Sequence, residues 1–307
     1  MEINNTVTDV FDDFISAKIA SGLSPKTIKT YKGQFKTIQN YIKLDIPIDE
    51  LTKEALQKMI LNMRKKDISP NTISSYVRTF KTFLSWCNDE GITTVKLKAY
   101  KGIETIKETY SDEELKKLLK KPDMRKCSFS DYRSWVIINL LVNNGIRSST
   151  VRNIKNKDVD LENLVIYLRH TKNRKGQAIP LCTELSLILK SYLKIRGGND
   201  DDFLFSAENG TQLQEHGLKS SIARYNKKRG VSKTGVHMFR HTFAKKYLVD
   251  CGGNAFTLQR LLGHSTLEMT KHYCAIFDSD IVKNYDKFSP LARIKADGQK
   301  LKMPKKK

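Results

Sequence analysis

The stretch ISPNTISSYVRTFKTFLSWCN, residues 68–88, has a partial copy earlier in the chain, LSPKTIKTYKGQFKTIQNYIK at residues 23–43. In both copies a serine and a proline stand directly before a run of apolar residues at helical spacing. Serine favours the N-cap of a helix, and proline is accepted at the first helical position because its missing N–H would be unpaired there anyway. The copies therefore predict two related helical hairpins within an all-helical domain of residues 1–92.

The rest of the chain predicts a second domain. Residues 93–110 lack helical periodicity, and we interpret them as a linker. Ser111 then begins a helix, and Glu114 completes a capping box. LVIYLRH and QAIPL predict two strands joined by the basic turn TKNRKG, with DVD as a short third strand. We therefore expect a mainly α-helical chain with a small antiparallel sheet, in which residues 111–292 form the second domain and residues 293–307 a basic tail.

The composition is strongly basic. Lysine and arginine total 55 residues against 33 aspartates and glutamates, which gives a net charge of +22. Such a surface favours a polyanionic partner, most commonly nucleic acid, although the solvated lysines of a lysine-rich proteome give the same composition. Basic residues lie between the apolar positions of the two copies, and we predict that the following contact DNA: Lys26, Lys29, Lys32, Lys36, Arg78 and Lys81.

Other features exclude several classes of protein. No apolar run approaches the ~20 residues that cross a bilayer, and the acidic, polar first residues do not resemble a secretory signal. The cysteines are odd in number and form no CxxC pair, which argues against a disulfide framework and a zinc ribbon. They are Cys87, Cys127, Cys182, Cys251 and Cys274. We therefore expect a protein of the reducing cytoplasm that does not contact a membrane.

The histidines do not predict a metal site. His237 and His241 lie one helical turn apart in HMFRH, but Met238 stands where the zinc-protease pattern requires glutamate. His264 and His272 are eight residues apart and have no carboxylate pair at ligand spacing nearby. We therefore expect neither a metal nor another cofactor.

One arginine directly follows a predicted helix. The run RSWVIINLLVNN predicts a buried helix that ends at Gly145, because glycine accepts the left-handed conformation that closes a helix. Arg147 comes next, at the start of a new helix capped by Ser148 or Ser149. A lone arginine is usually a solvated surface residue, so its meaning depends on its companions.

Six residues that can act on phosphate are spread along the second domain. A single helical tyrosine is most often a packing residue, and each of the six is weak evidence by itself. Together they suit a phosphodiester, because guanidinium groups bind its oxygens in pairs, lysine and imidazole supply protons, and a tyrosine hydroxyl can attack phosphorus. The six candidates are Arg147, Lys172, His237, Arg240, His264 and Tyr273.

The order and context of these candidates resemble the signature of the tyrosine recombinase, or phage integrase, family. Arg147 lies in a G-[LI]-R context, and Lys172 lies in the predicted hairpin. HMFR matches the family's HxxR, and LLGH ends at His264, nine residues before Tyr273. The resemblance implies a helical SAM-like core-binding domain, a tyrosine recombinase catalytic domain, and site-specific DNA recombination without a cofactor.

The resemblance also implies a role for each residue. Tyr273 attacks the scissile phosphate and forms a 3′-phosphotyrosine, while Arg147 and Arg240 hold the phosphate oxygens. The other roles fall to His237 as general base, His264 as a phosphate contact and Lys172 as the acid that protonates the leaving 5′-oxygen. One position departs from the family, which often has an acidic residue where Thr150 stands. Thr150 or Asp158 would take over that supporting role.

The expected partner is a double-stranded recombination site. The resemblance implies a homotetramer assembled on two such sites in the bacterial nucleoid. Residues 277–291 carry apolar residues at near-helical spacing, so they would pack on a neighbouring subunit or on their own domain.

Four functions remain open from the sequence. We favour a mobile-element, or transposon, integrase or resolvase. The alternatives are a chromosome-dimer resolvase of the Xer type, a type IB topoisomerase that relaxes supercoils, and a non-enzymatic DNA-binding regulator. The complete set of six residues argues against the regulator, and the compact helical first domain argues against the topoisomerase.

Overall fold

The computed structural model describes residues 5–103, 107–168 and 176–274. The chain divides into two compact units, Met1–Thr105 and Ile106–Lys307. The described residues are mainly helical and contain one small antiparallel sheet, which confirms the predicted fold class. The predicted basic tail lies outside the described residues.

The first unit contains the two predicted helical hairpins. The Ser24 and Ser69 side chains each accept a hydrogen bond from the backbone N–H three residues further on, and Pro25 and Pro70 are the first helical residues, as predicted. The helices of this unit are α1 (Val7–Ala20), α2 (Pro25–Ile38), α3 (Lys53–Lys65) and α4 (Pro70–Asp89).

The related helices α2 and α4 pack against each other. The amide of Gln34 on α2 donates to Ser75 Oγ at 2.9 Å, and its carbonyl oxygen accepts from Thr79 Oγ1 at 2.5 Å. The rings of Phe11 and Phe35 stack in the core of the same unit, with their centroids 3.6 Å apart. Burial of such aromatic side chains supplies most of the stabilisation that a small helical unit has.

Residues that follow α4 pack on the same unit. Asn88 Nδ2 donates to the carbonyl oxygen of Val95 at 2.9 Å, and Ser74 Oγ donates to that of Tyr100 at 2.9 Å. Leu97 is buried among the core residues of the first unit. The chain beyond residue 92 is therefore held against α4 at least as far as Tyr100.

The second unit is built around the buried helix α6. The Ser111–Glu114 capping box predicted for α5 is present, and α6 ends at Gly145 in the left-handed conformation, with φ 59°, as predicted. Helices α5, α8, α9 and α10 pack around α6. The helices are α5 (Asp112–Leu119), α6 (Phe129–Asn144), α7 (Ser148–Asn153), α8 (Thr183–Arg196), α9 (Glu215–Lys228), α10 (Val236–Lys245), α11 (Ala255–Leu262) and α12 (Glu268–Cys274).

The predicted hairpin forms the sheet of the second unit. The strands are β1 (Val159–Asp160), β2 (Val165–Leu168) and β3 (Gln177–Pro180), in the antiparallel order β1-β2-β3. Ile166 and Ile179 face each other across the β2–β3 pair, and both side chains are buried in the core. Because successive side chains of a strand point to opposite faces, this register determines which residues of β3 face the neighbouring helices. The tip of the hairpin lies outside the described residues.

Candidate active site

Arg147 enters the site from the turn that follows α6. Ile146 is buried and anchors this turn. Arg147 is itself the N-cap residue of α7, with extended backbone, so the prediction that Ser148 or Ser149 caps this helix is wrong. The Arg147 guanidinium donates to the carbonyl oxygen of Gly263 at 3.2 and 3.3 Å and to that of Leu262 at 3.3 Å.

Arg240, on α10, also donates to the carbonyl oxygen of Leu262. It is only 5% exposed, and its Nη1 and Nη2 donate to the carbonyl oxygens of Gly145 and Leu262, both at 2.9 Å. Nη2 also lies 2.7 Å from Nε2 of His264. Burial, followed by the positive charge of Arg147, lowers the pKa of Arg240 to about 10, and the neighbouring Tyr273 opposes this shift. Arg240 therefore stays charged at neutral pH.

His264 is placed by the left-handed turn that ends α11. Gly263 has φ 63°, a backbone conformation that residues with a side chain rarely adopt, so this turn favours glycine. Nδ1 of His264 lies 2.9 Å from Oγ1 of Thr270 on α12. Burial, and then the positive charges of Arg240 and Arg147, lower the pKa of His264 to about 4. The imidazole is therefore neutral at neutral pH.

Tyr273 lies on α12 against these residues. Its side chain is 7% exposed. Its ring is nearly parallel to that of His264, at an interplanar angle of 9° and a centroid distance of 6.1 Å. The electrostatic interaction with Tyr273 raises the pKa values of Arg147 and Arg240, against the effect of burial. The structure thus brings together four of the predicted residues: both arginines, His264 and the tyrosine.

His237 lies one turn before Arg240 on α10, with an exposed side chain. Partial desolvation by the surrounding protein, followed by the positive charges of Arg240, Lys219 and Arg147, lowers its pKa. A neutral imidazole at this position can accept a proton. Lys172, the sixth predicted residue, lies outside the described residues.

A cleft of about 860 Å³ opens beside these residues. Its walls come from the turn before α7, from β3 and from α11, and its polar lining includes Arg147, Thr150, Gln177, Arg260 and His264. The guanidinium groups of Arg147 and Arg260 and the imidazole of His264 border the cleft. Such a set of donors suits a phosphate oxygen. Thr150, which stands where the family often has an acidic residue, lines the same cleft.

Two residues in the site were not singled out from the sequence. Gln177 on β3 donates through Nε2 to the carbonyl oxygens of Arg260 and Leu261, both at 2.8 Å, and so fixes the end of α11 to the sheet. Thr270 contacts His264 from α12. Neither residue carries a local signal, because both contacts depend on tertiary packing.

His241 also borders Tyr273. The two ring centroids are 5.5 Å apart. Within the described part of the chain, Nδ1 of His241 is buried and has no hydrogen-bond partner. Burial, followed by the positive charges of Lys107, His237 and Arg240, lowers the pKa of His241 to about 4. His241 is therefore a neutral packing partner of the tyrosine at neutral pH.

Over residues 5–103, 107–168 and 176–274, no cluster of three or more histidine, cysteine, aspartate or glutamate side chains has a metal-binding arrangement. The same residues contain no helix with the length and apolarity needed to cross a membrane.

The residues predicted to contact DNA in the first unit all have exposed side chains. Four lie on α2 and two on α4: Lys26, Lys29, Lys32, Lys36, Arg78 and Lys81. Their exposure leaves them accessible to a ligand, but it is equally consistent with simple solvation.

Comparison with known proteins places the chain in a family. Residues 108–279 match the phage integrase family, and residues 6–103 match the phage integrase SAM-like domain. The chain is 29% identical to tyrosine recombinase XerA of Saccharolobus solfataricus, over 90% of this chain and 91% of that protein.

Solved structures agree on the fold. The Tn1549 transposon integrase in complex with transposon right end DNA has a TM-score of 0.74 at 21% identity, covering 92% of this chain and 99% of that one. A lambda integrase tetramer bound to a Holliday junction has a TM-score of 0.71 at 19% identity, covering 89% of this chain and 78% of that one. The chain belongs to the phage integrase family and is a tyrosine-type site-specific DNA recombinase.

Proposed function

We propose that this chain cuts and rejoins DNA strands through a 3′-phosphotyrosine formed on Tyr273. The observation that carries the proposal is the clustering of Tyr273 with Arg147, Arg240 and His264. Arg147 and His264 also line the cleft. Each guanidinium has five N–H groups, and its contacts with the described residues do not use all of them, even when the hydrogen bond between Arg240 and Tyr273 is included, so donors remain for phosphate oxygens.

The bonds that form and break follow from this arrangement. The Tyr273 oxygen attacks phosphorus, and the bond from phosphorus to the 5′-oxygen breaks. The phenol proton passes to His237, whose lowered pKa keeps it able to accept one. Lys172 supplies the proton that the 5′-oxygen needs. Because the phosphotyrosine retains the energy of the phosphodiester, a 5′-hydroxyl can reverse the reaction without ATP.

The arginines supply most of the rate enhancement in this scheme. Charge accumulates on the non-bridging oxygens as the phosphate becomes five-coordinate, and preorganised donors stabilise that charge without reorganising. Arg147 and Arg240 are preorganised because the carbonyl groups of Gly145, Leu262 and Gly263 hold them in place. His264 would add a hydrogen bond to the same oxygens.

For the biological role, we infer a mobile-element integrase or resolvase that assembles as a tetramer on two sites. The fold similarity to a transposon integrase and to a lambda integrase tetramer on a Holliday junction supports this. The Xer-type chromosome resolvase is the second candidate, and the similarity to XerA favours it. We further infer that the protein acts on DNA in the cytoplasm. A type IB topoisomerase is the weakest candidate.

Replacement of Tyr273 by phenylalanine tests the chemistry. The variant keeps the packing of the ring but lacks the attacking oxygen. We expect it to bind a recombination site with wild-type affinity and to form no covalent complex with a nicked suicide substrate, as measured on a denaturing gel. A covalent protein–DNA band at wild-type yield would remove Tyr273 from the mechanism.

A further inference from the structure

A chain of hydrogen bonds connects a buried arginine to the helix that carries Tyr273. Arg240 Nη2 lies 2.7 Å from Nε2 of His264, and Nδ1 of the same imidazole lies 2.9 Å from Oγ1 of Thr270. Thr270 is completely buried on α12 and lies three residues before Tyr273, on the same side of the helix. The three side chains therefore link α10 to α12 through one ring.

The chemistry of arginine fixes the direction of these bonds. A guanidinium group only donates, so Nε2 of His264 must accept from Arg240. A neutral imidazole carries a single proton, which must then lie on Nδ1 and point at Thr270 Oγ1. The lowered pKa of His264 agrees with a neutral ring. In the protein without DNA, His264 thus presents a lone pair towards the arginine and has no proton on Nε2 to offer to a phosphate.

The proposed function demands the opposite arrangement. To hydrogen-bond a phosphate oxygen through Nε2, His264 must carry its proton there. Nδ1 then becomes an acceptor and needs a donor beside it. A hydroxyl group can both donate and accept, so Thr270 can serve either tautomer by rotating its O–H bond. Valine, which has the same shape, can serve neither.

We propose that Thr270 is a positioning residue that partners Nδ1 of His264 in both tautomers and so lets the neutral imidazole change its proton from Nδ1 to Nε2 when a phosphate binds. In this change Nδ1 loses its proton to solvent water and Nε2 gains a proton from water, so the ring remains neutral. The DNA-bound half of this proposal rests on the proposed function, whereas the half that concerns the free protein does not.

The alternative is that Thr270 only fills space between α11 and α12. The variants Thr270→Val and Thr270→Ser separate the two possibilities. Valine keeps the volume and removes the hydroxyl, and serine keeps the hydroxyl and removes a methyl group. A packing role makes serine the more harmful change, whereas the proposed role makes valine the more harmful one.

The first measurement is the tautomer of His264 by ¹⁵N NMR of the full chain with labelled histidine. In the wild-type protein and in Thr270→Ser without DNA, we expect the proton on Nδ1. In Thr270→Val we expect this single form to be lost, because Nδ1–H then has no buried partner. A proton on Nε2 in the free wild-type protein would overturn the proposal, whatever the variants do and whether or not they fold.

The same signal is then followed with DNA bound. The Tyr273→Phe variant, which cannot cleave the DNA or form a covalent complex with it, is bound to a recombination site. We expect the proton of His264 to be found on Nε2. If the proton stays on Nδ1, or if the ring becomes an imidazolium with protons on both nitrogens, the tautomer change is wrong even though the recombinase assignment stands.

Cleavage of a suicide substrate supplies the kinetic test. We expect Thr270→Val to slow cleavage by about 10-fold or more, as loss of a partner that orients an active-site histidine typically does, and Thr270→Ser to stay within about threefold of wild type. In a His264→Ala background, Thr270→Val should have no further effect, because Thr270 acts only through the imidazole. Independent, additive losses would contradict the proposal, and a wild-type protein that forms no covalent complex would instead refute the proposed function.

Discussion

Arg147 and Arg240 donate to the same acceptor, the carbonyl oxygen of Leu262, at 3.3 and 2.9 Å. The two positively charged guanidinium groups are thereby held side by side, and both donate to the carbonyl oxygen of Leu262. Burial, and for Arg240 also the charge of Arg147, lowers the pKa of both guanidinium groups. A site that stores this repulsion in the free protein is prepared for an anion, which relieves it.

The first prediction concerns Arg240. We expect Arg240→Lys to lower the free energy of unfolding by about 2–3 kcal/mol, because lysine cannot pair both buried carbonyl groups, Gly145 and Leu262, that the arginine satisfies. We also expect the rate of suicide-substrate cleavage to fall by about 100-fold or more. Thermal melting and single-turnover cleavage measure the two effects.

Two matched variants show whether burial is the cause. Arg147→Lys should impair cleavage similarly but lower the melting temperature less, because Arg147 is less buried than Arg240. Arg260→Lys, at an exposed position in the same cleft, should leave the melting temperature unchanged. If Arg240→Lys melted at the wild-type temperature, the buried carbonyl contacts would have no structural role.

The second prediction concerns pH. An imidazole in an unfolded chain titrates near ~6.5, whereas burial lowers the pKa values of His241 and His264 in the folded protein to about 4. Between these values the unfolded chain binds more protons. Folding stability is therefore fully present above pH ~6.5 and is lost as the pH falls towards ~4, by at most about 1.4 kcal/mol per pH unit for each histidine.

Melting temperatures measured across this range check the prediction. His241→Gln should flatten the decline, because one of the histidines whose pKa is lowered in the folded protein is removed. His216→Gln is the matched control, since His216 is exposed on α9 and its replacement should leave the decline as it is. Equal slopes for the wild-type protein and His241→Gln would show that His241 is protonated in the folded state.

Much of the fold could be predicted because its signals are local. The caps at Ser24, Ser69 and Ser111, the helix end at Gly145 and the strands of the hairpin all depend on a few neighbouring residues. The prediction failed at α7, where Arg147 occupies the N-cap position without a side-chain cap. Serine is the better capping residue, but the buried Ile146 and the contacts of the Arg147 guanidinium fix where this helix begins.

The candidate site was predicted through the resemblance, and only in part. The resemblance could name Arg240 and His264, but not that one donates to the other, since their contact depends on how α10 packs against the turn after α11. Gln177 and Thr270 were missed for the same reason: a glutamine in a strand and a threonine in a helix are ordinary residues until tertiary structure gives them partners.

The third prediction tests the general acid. We expect Lys172→Ala to slow cleavage of a normal DNA strand far more than cleavage of a strand with a 5′-bridging phosphorothiolate. A thiolate leaves without a proton, so the modified substrate should rescue a variant that lacks the acid. Lys175→Ala in the same predicted turn is the matched control. Equal slowing of Lys172→Ala on both substrates would assign the proton to another residue, with Lys175 next in line.

The fourth prediction tests whether α2 of the first unit contacts DNA. Lys29 and Lys32 are both exposed on this helix, and each phosphate contact that is lost should reduce the slope of log affinity against log salt by about one. We therefore expect the double variant Lys29→Ala and Lys32→Ala to bind all DNA sequences more weakly and to lose about two units of slope. Lys53→Ala with Lys58→Ala removes the same charge from exposed positions on α3 and should leave the slope nearly unchanged. If both double variants shifted the slope equally, net charge alone would explain the binding; if neither shifted it, the basic residues of α2 would only be solvated, and the phosphate contacts would have to come from other residues.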